Sequence, residues 1–331
     1  MLTFIGAVLV FIIMVDAVWT TLTTRGSGFL AGPLTVGLRW VMRSLSYKMG
    51  NRNVLAHTGT LTIITLVLFW LCGLWLGWGL IFIGMPGSVI EDGDMQPANL
   101  VGYFYFVGFT LSTLGIGDLR PVGDISRILT SVAAFNGLIL VTLMISYAIP
   151  LLNGVISRRK LAFYLSLLGD NMTNLVLNAW NGEDFRDLES TIHLVSGEII
   201  QCAENRLAYP ILDYFYSYER EFSLGLQLAT VDEALNLLVS GVDKSLLPAE
   251  STILNIRKII QLYLTRCHSA LSHIEADVPP LPSLSPLSHS GLTLQSDKTF
   301  ESSMAEFNER RRLLHKLVLH EGWEWTDVSP A

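Results

Sequence analysis

The chain has 331 residues, a mean hydropathy of +0.45, only 15% charged residues and a formal net charge of −7. Residues 1–157 hold 13 charges, whereas residues 158–331 hold 38, of which 15 are basic and 23 acidic. That imbalance excludes a single water-soluble domain and implies two halves that meet different solvents; nucleic acid is not an expected partner, and no residue pattern points to an enzyme.

A membrane crossing needs about twenty apolar residues to span roughly 30 Å of hydrocarbon. Residues 2–22, 59–85 and 125–156 meet that requirement. The first run lacks a basic leader and has no A-x-A-like cleavage site before Arg25, so residues 1–24 are read as a retained N-terminal transmembrane helix. Asp16 lies toward its inner end, beside Trp19 and Thr20, where it is expected to reach the interface or pair with a basic residue of the next loop. Residues 25–58 form that basic loop, with Arg25, Arg39, Arg43, Lys48 and Arg52 interleaved among Phe29, Leu30, Leu34, Val36, Leu38, Trp40, Val41, Met42 and Leu45. The spacing predicts an amphipathic helix lying in the membrane interface.

Residues 98–112, before the third span, are aromatic-rich and uncharged, and have the length of a short helix that enters the membrane without crossing it. They run into Thr113-Leu114-Gly115-Ile116-Gly117-Asp118. A site that replaces a cation's water shell needs successive backbone carbonyls turned to one side, and hence an alternation of right- and left-handed residues. Gly115 and Gly117 adopt the left-handed values without steric cost. Thr113 adds a hydroxyl at one end of the row and Asp118 a carboxylate at the other.

This T-x-G-x-G-D string, set between two spans and behind a short apolar helix, resembles the T-V-G-Y-G selectivity filter of potassium channels. Residues 59–157 resemble the pore module of the bacterial-type two-transmembrane pore-loop potassium channel family, with an extra helix in front and an unrecognised helical domain behind. The resemblance implies an all-α membrane protein with three transmembrane helices, a re-entrant pore helix at 98–112, a filter at 113–118 and an inner helix at 125–157. It implies K+ as the permeant ion, with no cofactor and no other metal, bound along Thr113, Leu114, Gly115, Ile116, Gly117 and Asp118. It also places a hinge at Gly137, which is equally readable as a packing contact. Tyr147, Pro150 and Leu151 are candidates for a constriction at the inner mouth. Ile116 departs from the family, where tyrosine or phenylalanine supports the filter width, so Phe104, Phe106 or Phe109 is expected to supply that support. One filter segment per chain, where four loops make a filter, implies a homotetramer. A non-selective cation channel and a non-conducting, membrane-tethered signalling or scaffold protein stay open as alternatives.

Basic residues crowd the 25–58 loop and follow the third span as Arg158, Arg159 and Lys160, whereas Glu91, Asp92, Asp94, Asp118 and Asp124 face Arg120 alone between the second and third spans. The positive-inside rule then puts Met1 outside and the second half in the cytoplasm of a multi-pass cell-membrane protein that contacts lipid. Glu91, Asp92 and Asp94 are expected to form an acidic outer mouth that concentrates cations.

The second half is expected to be a helical cytoplasmic domain (158–277), a Pro/Ser-rich linker that is extended and mobile (278–297), and a closing helix with its tail (298–331). Apolar spacing predicts helices over 161–180, 184–207, 210–228, 231–238 and 253–272. Arg310, Arg311 and Arg312 are read as a solvated face of the closing helix. No G-x-G-x-x-G, EF-hand or P-loop pattern is present, so any cytoplasmic regulator is of unidentified chemistry. The histidine spacing does not suit a metal site, and Cys72, Cys202 and Cys267 are too scattered for a disulfide framework.

Overall fold

The computed structural model describes residues 1–23, 26–49, 53–93, 95–288 and 291–329. The described residues are mainly helical, with two short strands and connecting loops. In order its elements are α1 (Leu2–Leu22), α2 (Ala31–Met49), α3 (Asn53–Ala56), α4 (Thr58–Ile83), β1 (Val89–Glu91), α5 (Leu100–Leu111), β2 (Leu119–Pro121) and α6 (Asp124–Ser166). There follow α7 (Met172–Ala179), α8 (Leu188–Ala208), α9 (Leu224–Gly241), α10 (Glu250–Leu271), α11 (Ser285–Ser288), α12 (Asp297–Ala305) and α13 (Asn308–His320). Among the described residues, α1, α4 and α6 are long and apolar enough to cross a membrane. Met1–Ser44, Thr58–Leu152 and Ala208–Pro210 form one compact unit, and Leu45–His57, Asn153–Leu207 and the stretch from Ile211 onward form another.

In the first unit α1 lies along α4 at glycine distance. Gly73 and Gly77 of α4 receive Ile13 and Val10, and a Cβ at Gly77 would stand 2.7 Å from Val10. Small residues at that spacing let backbones approach in a medium that offers no hydrophobic drive between helices. The amphipathic helix forms as α2, and its exposed Val36, Trp40 and Val41 suit an interface. Arg25 and Arg52 lie outside the described residues.

Asp16 departs from its expected role. It is fully buried, and among the described residues no basic side chain meets it. Its Oδ1 accepts the Leu30 and Ala31 amides at 2.8 and 3.3 Å, capping the start of α2, and its Oδ2 accepts the Trp70 indole at 2.9 Å. A Cβ at Gly28 would overlap the carboxylate, so the chain passes there only as glycine. The positive end of a helix thus supplies the compensation that a lysine or arginine would otherwise give. Asp16→Asn keeps one acceptor but turns an amide donor on Trp70, so it is expected to cost about 1–3 kcal/mol. Thermal unfolding in detergent checks this, with part of the loss recovered when Trp70→Phe is added.

The second unit is built round α9, which packs against α7, α10, α12 and α13 and is buried over nearly its whole length. A helix enclosed on all sides shows no amphipathic period. For that reason the 210–228 and 231–238 helices read from sequence are in fact 3₁₀ turns at Pro210–Tyr214 and Arg220–Phe222, followed by the single α9. The predicted 161–180 helix also divides. Its first part continues α6, whose Leu161, Ala162 and Leu165 enter this unit's core, and the chain then breaks at Gly169 before Asn171 caps α7.

Two further expectations are corrected. The arginines of α13 are not a solvated face. Arg311 and Glu233 are both fully buried and paired through Nε at 2.8 Å, and Arg310 grips Asp232 at 2.7 and 2.5 Å. Arg312, paired with Glu309 at 2.6 Å, is the most accessible of the three and only partly exposed. Nor are the described residues of the Pro/Ser-rich stretch loose. The Pro279 and Pro280 carbonyls accept from Arg311 at 3.0 and 2.7 Å, Leu287 and Leu292 are buried, and Gln295 donates to the Gly241 carbonyl at 2.8 Å. A buried charge left over after ion pairing needs neutral acceptors, and proline carbonyls supply them without donors of their own.

Candidate functional site

The re-entrant helix forms as α5 because both its ends are specified. The Asn99 side chain accepts the Gly102 amide at 2.8 Å, and at the other end the Leu114 and Gly115 amides turn back on the Phe109 carbonyl at 2.8 and 3.4 Å. Aromatic side chains fix it against α4. Trp75 donates to the Phe104 carbonyl at 2.8 Å, and Phe106 lies edge-on to Phe82 and Phe109, with ring centroids 5.2 and 5.3 Å apart. Phe106 and Phe109 are buried, while Ile116 is half exposed.

The segment 113–118 leaves the negative end of α5 with an alternating backbone. Positive φ occurs at Thr113 (58°), Gly115 (57°) and Gly117 (90°), with Leu114 and Ile116 between them on the ordinary side. The two glycines were legible in the sequence and Thr113 was not, because a β-branched residue in this region carries about 1–2 kcal/mol of strain. The carbonyls of residues 113–117 accept no hydrogen bond from any described residue, and residues 112–118 are exposed. Facing lipid, each such carbonyl would cost several kcal/mol, and the run carries the exposed Leu114 and Ile116 alongside it.

The two strands close the far end of the segment. β1 and β2 pair antiparallel, with Ile90 opposite Arg120, and the Asp92 amide donates to the Asp118 carbonyl at 2.9 Å. The Asp118 carboxylate accepts the Leu119 amide at 3.0 Å. Of the acids predicted for an outer mouth, Glu91 is in β1, Asp92 pairs with Arg120 at 2.8 Å, and Asp94 lies outside the described residues.

On α6, Gly137 faces the end of α5, and a Cβ there would overlap the Leu111 carbonyl. Of the two readings of Gly137, the packing contact is the one with a visible partner. The helix continues through Pro150, which is exposed. Tyr147 and Leu151 are buried, Tyr147 edge-on to Tyr209 at 5.5 Å, and the exposed apolar stripe on the same stretch is Ile145, Ile149, Leu152 and Ile156.

Comparison with known proteins agrees with this geometry. A family model described as "Ion channel" matches residues 61–152. The chain is similar to the "Uncharacterized membrane protein YdjJ" of Bacillus subtilis (strain 168), with 32% identity over 314 residues that cover 94% of this chain and 91% of that protein. No solved structure matches. With its pore-loop region matched and a relative aligned along nearly its full length, the chain is a membrane protein that belongs to the two-transmembrane pore-loop ion channel family.

Proposed function

We propose that this channel conducts K+ passively through a homotetrameric pore, with the carbonyl row of residues 113–117 and the Thr113 hydroxyl as its selectivity filter. The observation that carries the reading is the alternating backbone of residues 113–117, whose carbonyls accept from no described residue. A monomer in lipid would leave each of those groups unsatisfied, at several kcal/mol apiece. Fourfold closure gives them ions, and gives Leu114 and Ile116 neighbours. The basic loop and the Arg158-Arg159-Lys160 cluster support an orientation with Met1 outside and the second half in the cytoplasm. Within the inner helix, the stripe of Ile145, Ile149, Leu152 and Ile156 is better placed than the buried Tyr147 and Leu151 to narrow an inner mouth.

Reconstitution into vesicles with a K+ gradient tests the proposal. The purified chain is expected to run as a tetramer and to pass K+ in strong preference to Na+. Equal Na+ flux would assign a non-selective pore, and a tight barrier to both ions would leave a scaffold. Gly117→Ala puts a Cβ on a residue at φ 90° in each of four chains. At about 1–2 kcal/mol of strain per chain, K+ flux is expected to fall at least roughly tenfold while the tetramer persists on size exclusion.

A further inference from the structure

Among the described residues, the filter segment is held at two places. At its inner end, the amides of Thr113, Leu114 and Gly115 return to the Thr110 and Phe109 carbonyls of α5. At its outer end the support comes from another part of the chain: the Asp92 amide holds the Asp118 carbonyl at 2.9 Å, and the β1–β2 ladder sets Val89, Ile90 and Glu91 against Pro121, Arg120 and Leu119. Between these anchors the amides of Ile116, Gly117 and Asp118 donate to no described residue. Ile116 is half exposed and has no hydrogen-bonding group, so it braces nothing laterally within the chain. The outer anchor is itself rooted, because Val89 is fully buried, its carbonyl accepts the Ala98 amide at 2.9 Å, and the Ser88 carbonyl accepts the Val122 amide at 2.9 Å.

We infer that this two-stranded clip, closed by the Arg120–Asp92 ion pair, sets the width of the outer end of the filter, and that Arg120 and Asp92 are positioning residues for ion selectivity. The inference rests on the carbonyl row being a filter. It also changes the role expected of Asp92. A carboxylate bound to a guanidinium at 2.8 Å has its charge answered locally and is a poor steering group. The pair is about half exposed on both sides, so its contribution is modest. A filter discriminates ions of the same charge by small differences in the placement of its oxygens, so a modest change in anchorage is legible in the permeability ratio.

The test compares Arg120→Gln, Asp92→Asn and the exchange of the two charges, Arg120→Asp with Asp92→Arg, in the full-length tetramer in vesicles. The clip predicts that both single variants raise the Na+/K+ permeability ratio by roughly two- to fivefold, in the same direction, and that the exchange restores it. Electrostatic steering predicts instead that the single variants move K+ flux in opposite directions at low salt with the ratio unchanged, and that result would overturn the inference. A second variant reads the clip without relying on the ion pair. Ile90→Cys with Arg120→Cys places two thiols at directly opposed positions of the ladder. Under reductant the ratio is expected to rise, and under oxidant to return. The natural Cys202 and Cys267 are buried and Cys72 is exposed, so the unsubstituted channel, taken through the same reductant and oxidant, is the control for oxidation away from the clip. Amide hydrogen exchange over residues 113–122 separates failure of the clip from failure of the channel reading. Faster exchange there in the single variants, reversed by the charge exchange, supports the clip even in a chain that passes no ions, and unchanged exchange sinks it.

Discussion

Gly137→Ala is expected to lower K+ flux at least roughly a hundredfold and to weaken the tetramer, the largest effect of any one-carbon change in the pore. The added methyl overlaps the carbonyl oxygen, carbonyl carbon and Cα of Leu111, which are all backbone atoms at the end of α5. Over-packing a tight contact costs about 1–3 kcal/mol. A fourfold assembly repeats that cost in every chain, and about 1.4 kcal/mol corresponds to a factor of ten. Because Leu111 contributes its main chain, trimming its side chain gives no relief, and Gly137→Ala with Leu111→Ala is expected to be no better than Gly137→Ala alone. A hinge would behave differently. Alanine bends less readily than glycine, so a hinge variant would change how often the pore opens and leave selectivity and assembly intact. Size exclusion in detergent and the Na+/K+ permeability ratio in vesicles distinguish the two. An intact tetramer of unaltered selectivity would remove the packing argument.

The parts of this protein legible in its sequence are those where composition maps directly onto solvent or backbone geometry. Runs of apolar residues located α1, α4 and α6 to within a few residues at their starts, because hydrocarbon thickness fixes their length. The aromatic-rich, uncharged run at 98–112 gave α5, and Gly115 and Gly117 marked two of the three left-handed positions. What stayed hidden depends on partners distant in the chain. Asp16 meets α2 through Leu30 and Ala31, and α4 through Trp70. The carboxylate is visible in the sequence, but the free amides that compensate it are not. The β1–β2 clip uses three-residue strands, too short for an alternating pattern to register. α9 lacked a polar face because it has no solvent-facing side. Its acids at 232 and 233 and the arginines of α13 are each readable as surface charge, and only their juxtaposition shows that they neutralise one another in the core.

That core pair is where the largest loss of stability is expected. In Arg311→Met the apolar stem is retained and the guanidinium removed, leaving Glu233 fully buried without its cation and the Pro279 and Pro280 carbonyls without their donors. Removing one partner of a buried pair costs about 3–5 kcal/mol. The second unit is therefore expected to unfold well before that of the unsubstituted protein on heating in detergent. Subtilisin is expected to cut within 278–288 faster than in the unsubstituted chain. The pH dependence has a definite sign. Burial already pushes the Glu233 carboxyl up from its ordinary value, against the pull of Arg311 and Asn236. Without Arg311 it rises further, so the folded variant holds a proton over a range in which the unfolded chain, titrating near the ordinary value of about 4.3, has released it. More protons bound in the folded state means that stability falls as pH rises. The deficit of Arg311→Met should accordingly shrink on acidification toward pH 5 and be largest above neutrality. Arg311→Met with Glu233→Leu removes both charges, and the acid rescue should disappear with the carboxyl that causes it. Part of the stability should return, because a well-packed apolar pair can replace a buried ion pair. A double variant as unstable as Arg311→Met at every pH would mean that the proline carbonyls, and not Glu233, set the requirement for arginine at this position.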